Sequence, residues 1–356
     1  MLVRIGLLVL ALAAAFAPLP APLVEAWYAR GVYPSLQPAV TGLSNQVPFA
    51  VFDVLVAGVL LGLGLAIARI VRGPRKGGRL SATARVVGNV IALAAIVYLA
   101  FLLLWGLNYR RVPLERRVDF SRGRVTPAAA RSLTARVVGR VNALQRLLPR
   151  AAWPDWPAVA KELSPSYSRV QQQLGAAWTA RPGVPKWSLL SFYFERAAVD
   201  GMPDPFLLEV LVNRSLLPFE RPAVLAHEWA HLAGYAGESE ASFVGWLACL
   251  QGPPAAEYSA HLSLLWHVLP GLPAPEREGI LRRLDPRARD DLRAIAARVA
   301  STSPAVRKVA WRAYDSYLKA NRVEQGVRSY GEAVDLLIGT RLSDTWVPAL
   351  ARVPGP

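Results

Sequence analysis

Two apolar runs, Val51 to Ile70 and Val86 to Leu107, constrain the fold of this chain more than any other feature. A helix rises about 1.5 Å per residue, so each run is long enough to cross a hydrocarbon layer about 30 Å thick. Inside lipid a backbone finds no water, and a single run can satisfy its own polar groups only as a helix. From the end of the first run to the start of the second stand Arg69, Arg72, Arg75, Lys76, Arg79 and Arg85, with no acidic residue among them. Basic loops of this kind stay on the cytoplasmic side, which carries everything after Asn108 to the outer face. A further apolar run precedes them at residues 5–24, behind Arg4 and with Pro18, Pro20 and Pro22 near its end. It reads as a membrane anchor or as a cleaved signal segment, and either leaves the later residues extracytoplasmic. Residues 25–49 carry little charge and many turn formers, and read as a short exposed loop.

Composition agrees with a membrane protein: 53% of residues are hydrophobic, and the apolar excess lies near the N-terminus. The net charge of +16 comes from scattered arginines without a nucleic-acid motif, so a nucleic-acid partner is not expected. The single cysteine, Cys249, excludes an internal disulfide and a cysteine-based zinc site. No feature of the sequence fixes an oligomeric state.

After residue 109 the pattern becomes that of a mainly helical domain. Thr126-Pro127, Asp285-Pro286 and Ser303-Pro304 are helix starts, with a capping side chain before a proline in the first turn. A further helix is expected from Trp156 to Trp178, broken or restarted at Ser164-Pro165. Trp187 to Val199 and Phe206 to Val212, rich in aromatic and β-branched residues, read as strands. The second of these precedes the motif helix and is either a core strand or an edge that takes an extended substrate. The tail at Val353-Pro354-Gly355-Pro356 reads as disordered.

The chemistry is concentrated in Ala226-His227-Glu228-Trp229-Ala230-His231. Residues four apart lie on one face of a helix, so His227 and His231 can direct two imidazole nitrogens at one zinc ion. Glu228 is placed to serve as general base toward water at that metal. A catalytic zinc commonly takes three protein ligands, and Glu238 and Glu240 are the candidates for the third. They open a second helix after Gly234 and Gly237, and only one of them should face the metal. Donors for an oxyanion are offered by His261, Tyr258, Tyr314, Tyr317, Asn321 and Tyr330, of which His261 and Tyr330 are preferred. The Tyr314-Asp315-Ser316-Tyr317 cluster reads rather as packing.

The HExxH helix followed by Glu238-Ser239-Glu240-Ala241 resembles the gluzincin metallopeptidases, a likeness that implies Glu238 as the third ligand. Ser242 stands where many of those relatives carry an aspartate that orients the first histidine, and Ser242 or another group must do so here. Over nearly its whole length the chain also resembles the bacterial membrane family called domain of unknown function 3810. That likeness is carried by Gly31-Val32-Tyr33-Pro34, Trp105-Gly106-Leu107-Asn108-Tyr109-Arg110, Leu217-Pro218-Phe219, the HExxH segment, Glu238 to Phe243, Tyr258-Ser259 and Tyr314 to Asn321.

These readings combine into a set of expectations. The fold is mainly α (α+β): a membrane domain over 1–108 with spans at 5–24, 51–70 and 86–107 and a basic loop at 69–85, then a zincin-like domain over 109–356 with a small sheet. The expected function is a zinc-dependent metallopeptidase in a bacterial cell membrane, acting on a peptide or protein substrate outside the cytoplasm. The alternative is a non-catalytic membrane protein that uses a degenerate zincin fold and structural zinc for binding or sensing.

Overall fold

Helix starts in this chain repeat one device, a short polar side chain set just before a proline. Thr126, Asp155 and Ser303 each accept a hydrogen bond from the backbone N–H three residues on, and Asp285 from that two residues on. This satisfies one of the donors that a first turn leaves free. The structure, a computed structural model, describes residues 2–72, 79–148, 153–323 and 329–351. In chain order the helices are α1 (Leu2–Phe16), α2 (Ala21–Val24), α3 (Tyr33–Ser44), α4 (Val51–Arg72), α5 (Arg79–Leu104), α6 (Pro127–Leu147) and α7 (Trp156–Gln173). After them come α8 (Ser191–Ala197), α9 (Arg221–Leu232), α10 (Glu238–Leu250), α11 (Pro254–Val268), α12 (Ala274–Arg283), α13 (Pro286–Ala300), α14 (Pro304–Ala320) and α15 (Ser329–Gly339). The strands are β1 (Pro185–Lys186), β2 (Gly201–Pro203) and β3 (Val210–Val212). The protein is thus mostly helical with one small sheet.

Helices α4 and α5 are long and apolar enough to cross a membrane, and little of either apolar window is covered by the rest of the chain. The third run differs from its expectation. It is not one straight helix over 5–24: α1 ends at Phe16, and the helical stretch Ala21–Ser44 departs from it at 115°. Pro18 and Pro20 lie at the break, where proline removes backbone donors and clashes with a preceding turn. The pair counts as a third candidate span only if a bent helix is allowed. The basic loop at 69–85 falls largely outside the described side chains, and 73–78 and the tail at 352–356 lie outside the described residues altogether.

Residues 25–44 are not an exposed loop. A π-helical segment, Glu25–Val32, joins α2 to α3, and Tyr28, Tyr33, Gln37 and Thr41 are fully buried. Pro34 sits in the first turn of α3, so the turn formers seen in the sequence start a helix. Gln37 Nε2 donates to the Arg181 carbonyl at 2.9 Å, and Thr41 Oγ1 to the Leu208 carbonyl at 3.0 Å. One hydrophobic core takes in Val24, Tyr28, Tyr33, Phe101, Leu102 and Trp105 together with residues of α6, α7, α9, α10 and α11. The core therefore crosses position 108.

The segment 187–199 is a second correction, since it forms α8 and not a strand. Ser191, Phe194 and Ala197 are its buried residues, each about one helical turn from the next, while Phe192 and Tyr193 are exposed. Aromatic content suggested β structure, but the burial follows a helical repeat. At 206–212 only Val210–Val212 is strand, because the Asp204 carboxylate accepts from the N–H groups of Phe206 and Leu207 at 2.9 Å each and folds that stretch into a turn. Helix α7 runs through Pro165 without a break and ends at Gln173.

Strand β3 is central, parallel to β1 (Pro185 opposite Val210) and antiparallel to β2 (Gly201 opposite Val212). With strands on both sides it cannot offer an edge, and β2 lies instead against the motif helix α9. On its other side α9 packs on α10 at close range. A Cβ on Gly245 would lie 2.8 Å from the His227 backbone nitrogen, so only glycine permits this approach.

Candidate metal centre

The sequence around the motif makes a short helix with alanines at 223, 226 and 230, which let neighbours come near. Its C-terminal carbonyls, of which those of Trp229 and His231 also accept from the N–H groups of Ala233 and Gly234, receive side-chain donors from several directions. Tyr167 donates to the Trp229 carbonyl at 2.6 Å, Trp105 Nε1 to that of His231 at 3.2 Å, and Tyr33 to that of Leu232 at 2.9 Å. Arg111, clamped by the Glu25 carboxylate, reaches the Gly234 carbonyl at 3.1 Å. Gly234 leaves the helix with φ +83°, a conformation that favours glycine, and the chain turns into α10.

This turn brings three donors together. The Nε2 atoms of His227 and His231 are 3.2 Å apart, and Glu238 Oε2 lies 3.2 Å from the first and 3.6 Å from the second. Ligands bonded tetrahedrally to zinc at about 2.0–2.1 Å stand roughly 3.3–3.4 Å from one another. The observed spacings bracket that figure. Glu238 Oε2 is moreover buried with no hydrogen-bond partner among the described residues, a costly state for a carboxylate oxygen that a cation would relieve. The donor set therefore fits a zinc ion.

Both histidines are oriented from behind. His231 Nδ1 donates to the Tyr235 carbonyl at 2.9 Å, and His227 Nδ1 lies 3.3 Å from Ser242 Oγ. With the proton on Nδ1 each ring leaves its Nε2 lone pair directed at the centre. Ser242, one turn beyond Glu238 on α10, thus stands behind the His227 ring. The Tyr314 hydroxyl, from α14, donates to Glu238 Oε1, and its ring stacks on Tyr317 at 5.9 Å.

Electrostatics follows from burial. Burial would raise the Glu238 carboxyl, but His231 and His227 hold it well below the usual carboxylate range. Burial would lower His231, yet the Glu238 carboxylate raises it. Glu228 has no such anchor. Desolvation pushes its carboxyl up to about 7 against the pull of the two histidines. It is buried beside the centre, and a Cβ on Gly201 of β2 would come within 2.5 Å of its Oε1. Gly201 is therefore what makes room for this carboxylate.

Of the residues singled out in the sequence, His227, Glu228, His231 and Glu238 meet in one place. Glu240 does not: its carboxylate accepts from the Leu114 N–H at 2.6 Å and ties down the chain just after α5. His261 is also elsewhere, buried on α11 with Glu257 3.5 Å from its Nε2 and the Trp346 ring 6.2 Å away. It is not one of the three donors that come together, and its neighbours are those of a packed core histidine. The Tyr330 side chain lies outside the described residues. Tyr258 is turned to Asp291, and Asn321 to the Tyr317 carbonyl. Tyr314, read as packing, stacks on Tyr317 and also meets the Glu238 carboxylate. Its only local signal was the one-turn spacing from Tyr317, which leaves two hydroxyls on one helix face.

Compared with known families, residues 28–338 match the family described as "Protein of unknown function (DUF3810)". The chain belongs to this family. Membership carries no activity with it, since the family's description states none. No curated protein and no solved structure matches the chain.

Proposed function

We propose that this DUF3810 protein is a membrane-anchored, zinc-dependent metallopeptidase with a zincin-like site, hydrolysing peptide bonds on the extracytoplasmic side. The observation that carries the reading is the spacing of three donors, two of them buried, at tetrahedral distances, with the buried Glu228, whose Oε2 has no hydrogen-bond partner among the described residues, next to His227 in the chain. His227, His231 and Glu238 would hold the zinc. When bound, zinc supplies Lewis acidity, making water nucleophilic near neutral pH and polarising a carbonyl.

The remaining steps belong to the chain. Glu228, with a carboxyl near 7, is poised to take a proton from the attacking water and to return it to the departing amine. Gly201 keeps the space that this carboxylate needs, and Ser242, Tyr235 and Tyr314 fix the orientation of the three donors. A structural zinc site has no use for a general base, which favours the catalytic reading over a sensor. The outward placement rests on the basic loop at 69–85 and the rule that such loops stay inside.

The test uses the full chain in detergent micelles, with metal content measured alongside cleavage of a quenched-fluorescence peptide library. Wild type and Glu228→Gln should both retain about one zinc per chain. Cleavage should fall about 10²–10⁴-fold in the variant. Bound zinc with cleavage unaffected by Glu228→Gln, or no cleavage by either protein, would count against the enzyme.

A further inference from the structure

The segment between β1 and β2 exposes large apolar side chains that the candidate centre does not use. Trp187, Leu189 and Phe192 are 55%, 81% and 64% exposed, while Lys186 just before them and Ser188 and Ser191 between them are buried. Contiguous exposed apolar groups of this size mark an interaction surface. What covers them is indicated by where the segment is fastened. It is laced to the chain on either side of the start of α4. The Val184 N–H donates to Asn45 Oδ1 at 2.9 Å, Ser188 Oγ to Asp53 Oδ1 at 2.5 Å, and the Leu189 N–H to Asp53 Oδ2 at 2.9 Å. Lys186, paired with Glu209, also reaches the Ser44 carbonyl, and Glu209 accepts from the N–H groups of Val51 and Phe52. The first turn of α4 and the exposed segment are thus one hydrogen-bonded unit.

Cations stand over two of the exposed rings. The Arg214 guanidinium lies 5.1 Å from the centre of the Trp187 ring, and that of Arg196 lies 3.5 Å from the centre of the Phe192 ring. Aromatic rings with flanking arginines suit the boundary between hydrocarbon and anionic headgroups, where the ring is half immersed and the cation meets phosphate. A protein partner would not require this continuity with the entrance of a span.

We propose that Trp187, Leu189 and Phe192 dip into the interfacial layer of a phospholipid bilayer, with Arg196 and Arg214 on its anionic headgroups, as a second membrane attachment beside α4. The proposal rests on α4 being a membrane span. Its consequence reaches the candidate centre: α8 continues through Ala198 to β2, whose Gly201 lies against Glu228. The docked segment holds the centre beside the lipid surface, where membrane-attached or membrane-proximal substrates are presented.

The experiment uses the full chain in nanodiscs of phosphatidylethanolamine and phosphatidylglycerol, leaving the buried Cys249 in place. Nitroxide labels are attached to Leu189→Cys and to Phe192→Cys, with Leu61→Cys in mid-α4 and Glu278→Cys on exposed α12 as references. Accessibility to oxygen relative to a water-soluble nickel chelate is read for each. Both reporters should show a ratio several-fold above that of Glu278→Cys and below that of Leu61→Cys. If either reporter matches Glu278→Cys while Leu61→Cys reads hydrocarbon, the docking proposal fails and the span stands. If Leu61→Cys is itself aqueous, both fall together.

Discussion

Cutting the chain at residue 109 to isolate the part that carries the candidate centre is expected to unfold it. The deletion removes Tyr28, Tyr33, Phe101 and Trp105, which are buried in the same core as α9 and α10. Burying a large apolar side chain is worth about 1.5–3 kcal/mol, so at the low end these residues alone account for about 6 kcal/mol. It also strips the Tyr33 and Trp105 donors from the carbonyls of Leu232 and His231. The Leu232 carbonyl, left buried without that donor, costs a further 1–3 kcal/mol or so, while the His231 carbonyl keeps the Gly234 N–H at 2.9 Å. Whole domains are stable by only about 5–15 kcal/mol, so the loss is of the order of the total. The assay compares the full chain in micelles with the fragment 109–356 in buffer and in micelles, by far-ultraviolet circular dichroism on heating and by limited proteolysis. The full chain should melt cooperatively, and the fragment should show no transition and be digested rapidly. A fragment that melts cooperatively and binds stoichiometric zinc would refute the argument that the core crosses position 108.

Other outcomes can be stated more briefly. Ser242→Ala removes the group behind His227 and should weaken zinc affinity about 10–100-fold, measured by competition with a chelator, with little change in melting temperature. Gly201→Ala intrudes on the Glu228 carboxylate and not on the three donors, so zinc binding should persist while peptide cleavage falls; equal loss of both would point to general damage at β2. Burial would raise Glu257, but Arg140 and His261 hold its carboxyl down to about 2. The stabilisation this pairing brings is present above the unfolded-state value of about 4.3 and is lost as pH falls from there through 2. Glu257→Gln should therefore melt below wild type at pH 7 and approach it at pH 3, and a gap independent of pH would show that charge is not the cause.

What was legible in the sequence was local. Helices α6, α9, α13 and α14 announce themselves by a proline in the first turn, three of them behind a side-chain cap, and the two histidines share a face by spacing alone. Residues 25–44 failed because their burial depends on partners more than a hundred residues away, such as Arg181 and Leu208, which no local pattern records. Segment 187–199 failed for a related reason. The rings of Trp187, Phe192 and Tyr193 face outward and only that of Phe194 is buried, so composition and burial part company there. Tyr314 reaches Glu238 across 76 residues, and only the packing of α14 makes that contact visible.

The three donors of the candidate centre are not equally enclosed. The His231 and Glu238 side chains are 4% and 2% exposed, and that of His227 is 20%. A bound ion would therefore be sealed on two sides and reachable on one, so a small chelator must enter past His227, and that bond is the first it can displace. Ion exchange should then proceed without unfolding, at a rate that changes with the side chain at 227 or 242 and hardly at all with global stability. Such a centre can be emptied and refilled in the finished protein, whereas a fully enclosed one must acquire its ion as it folds.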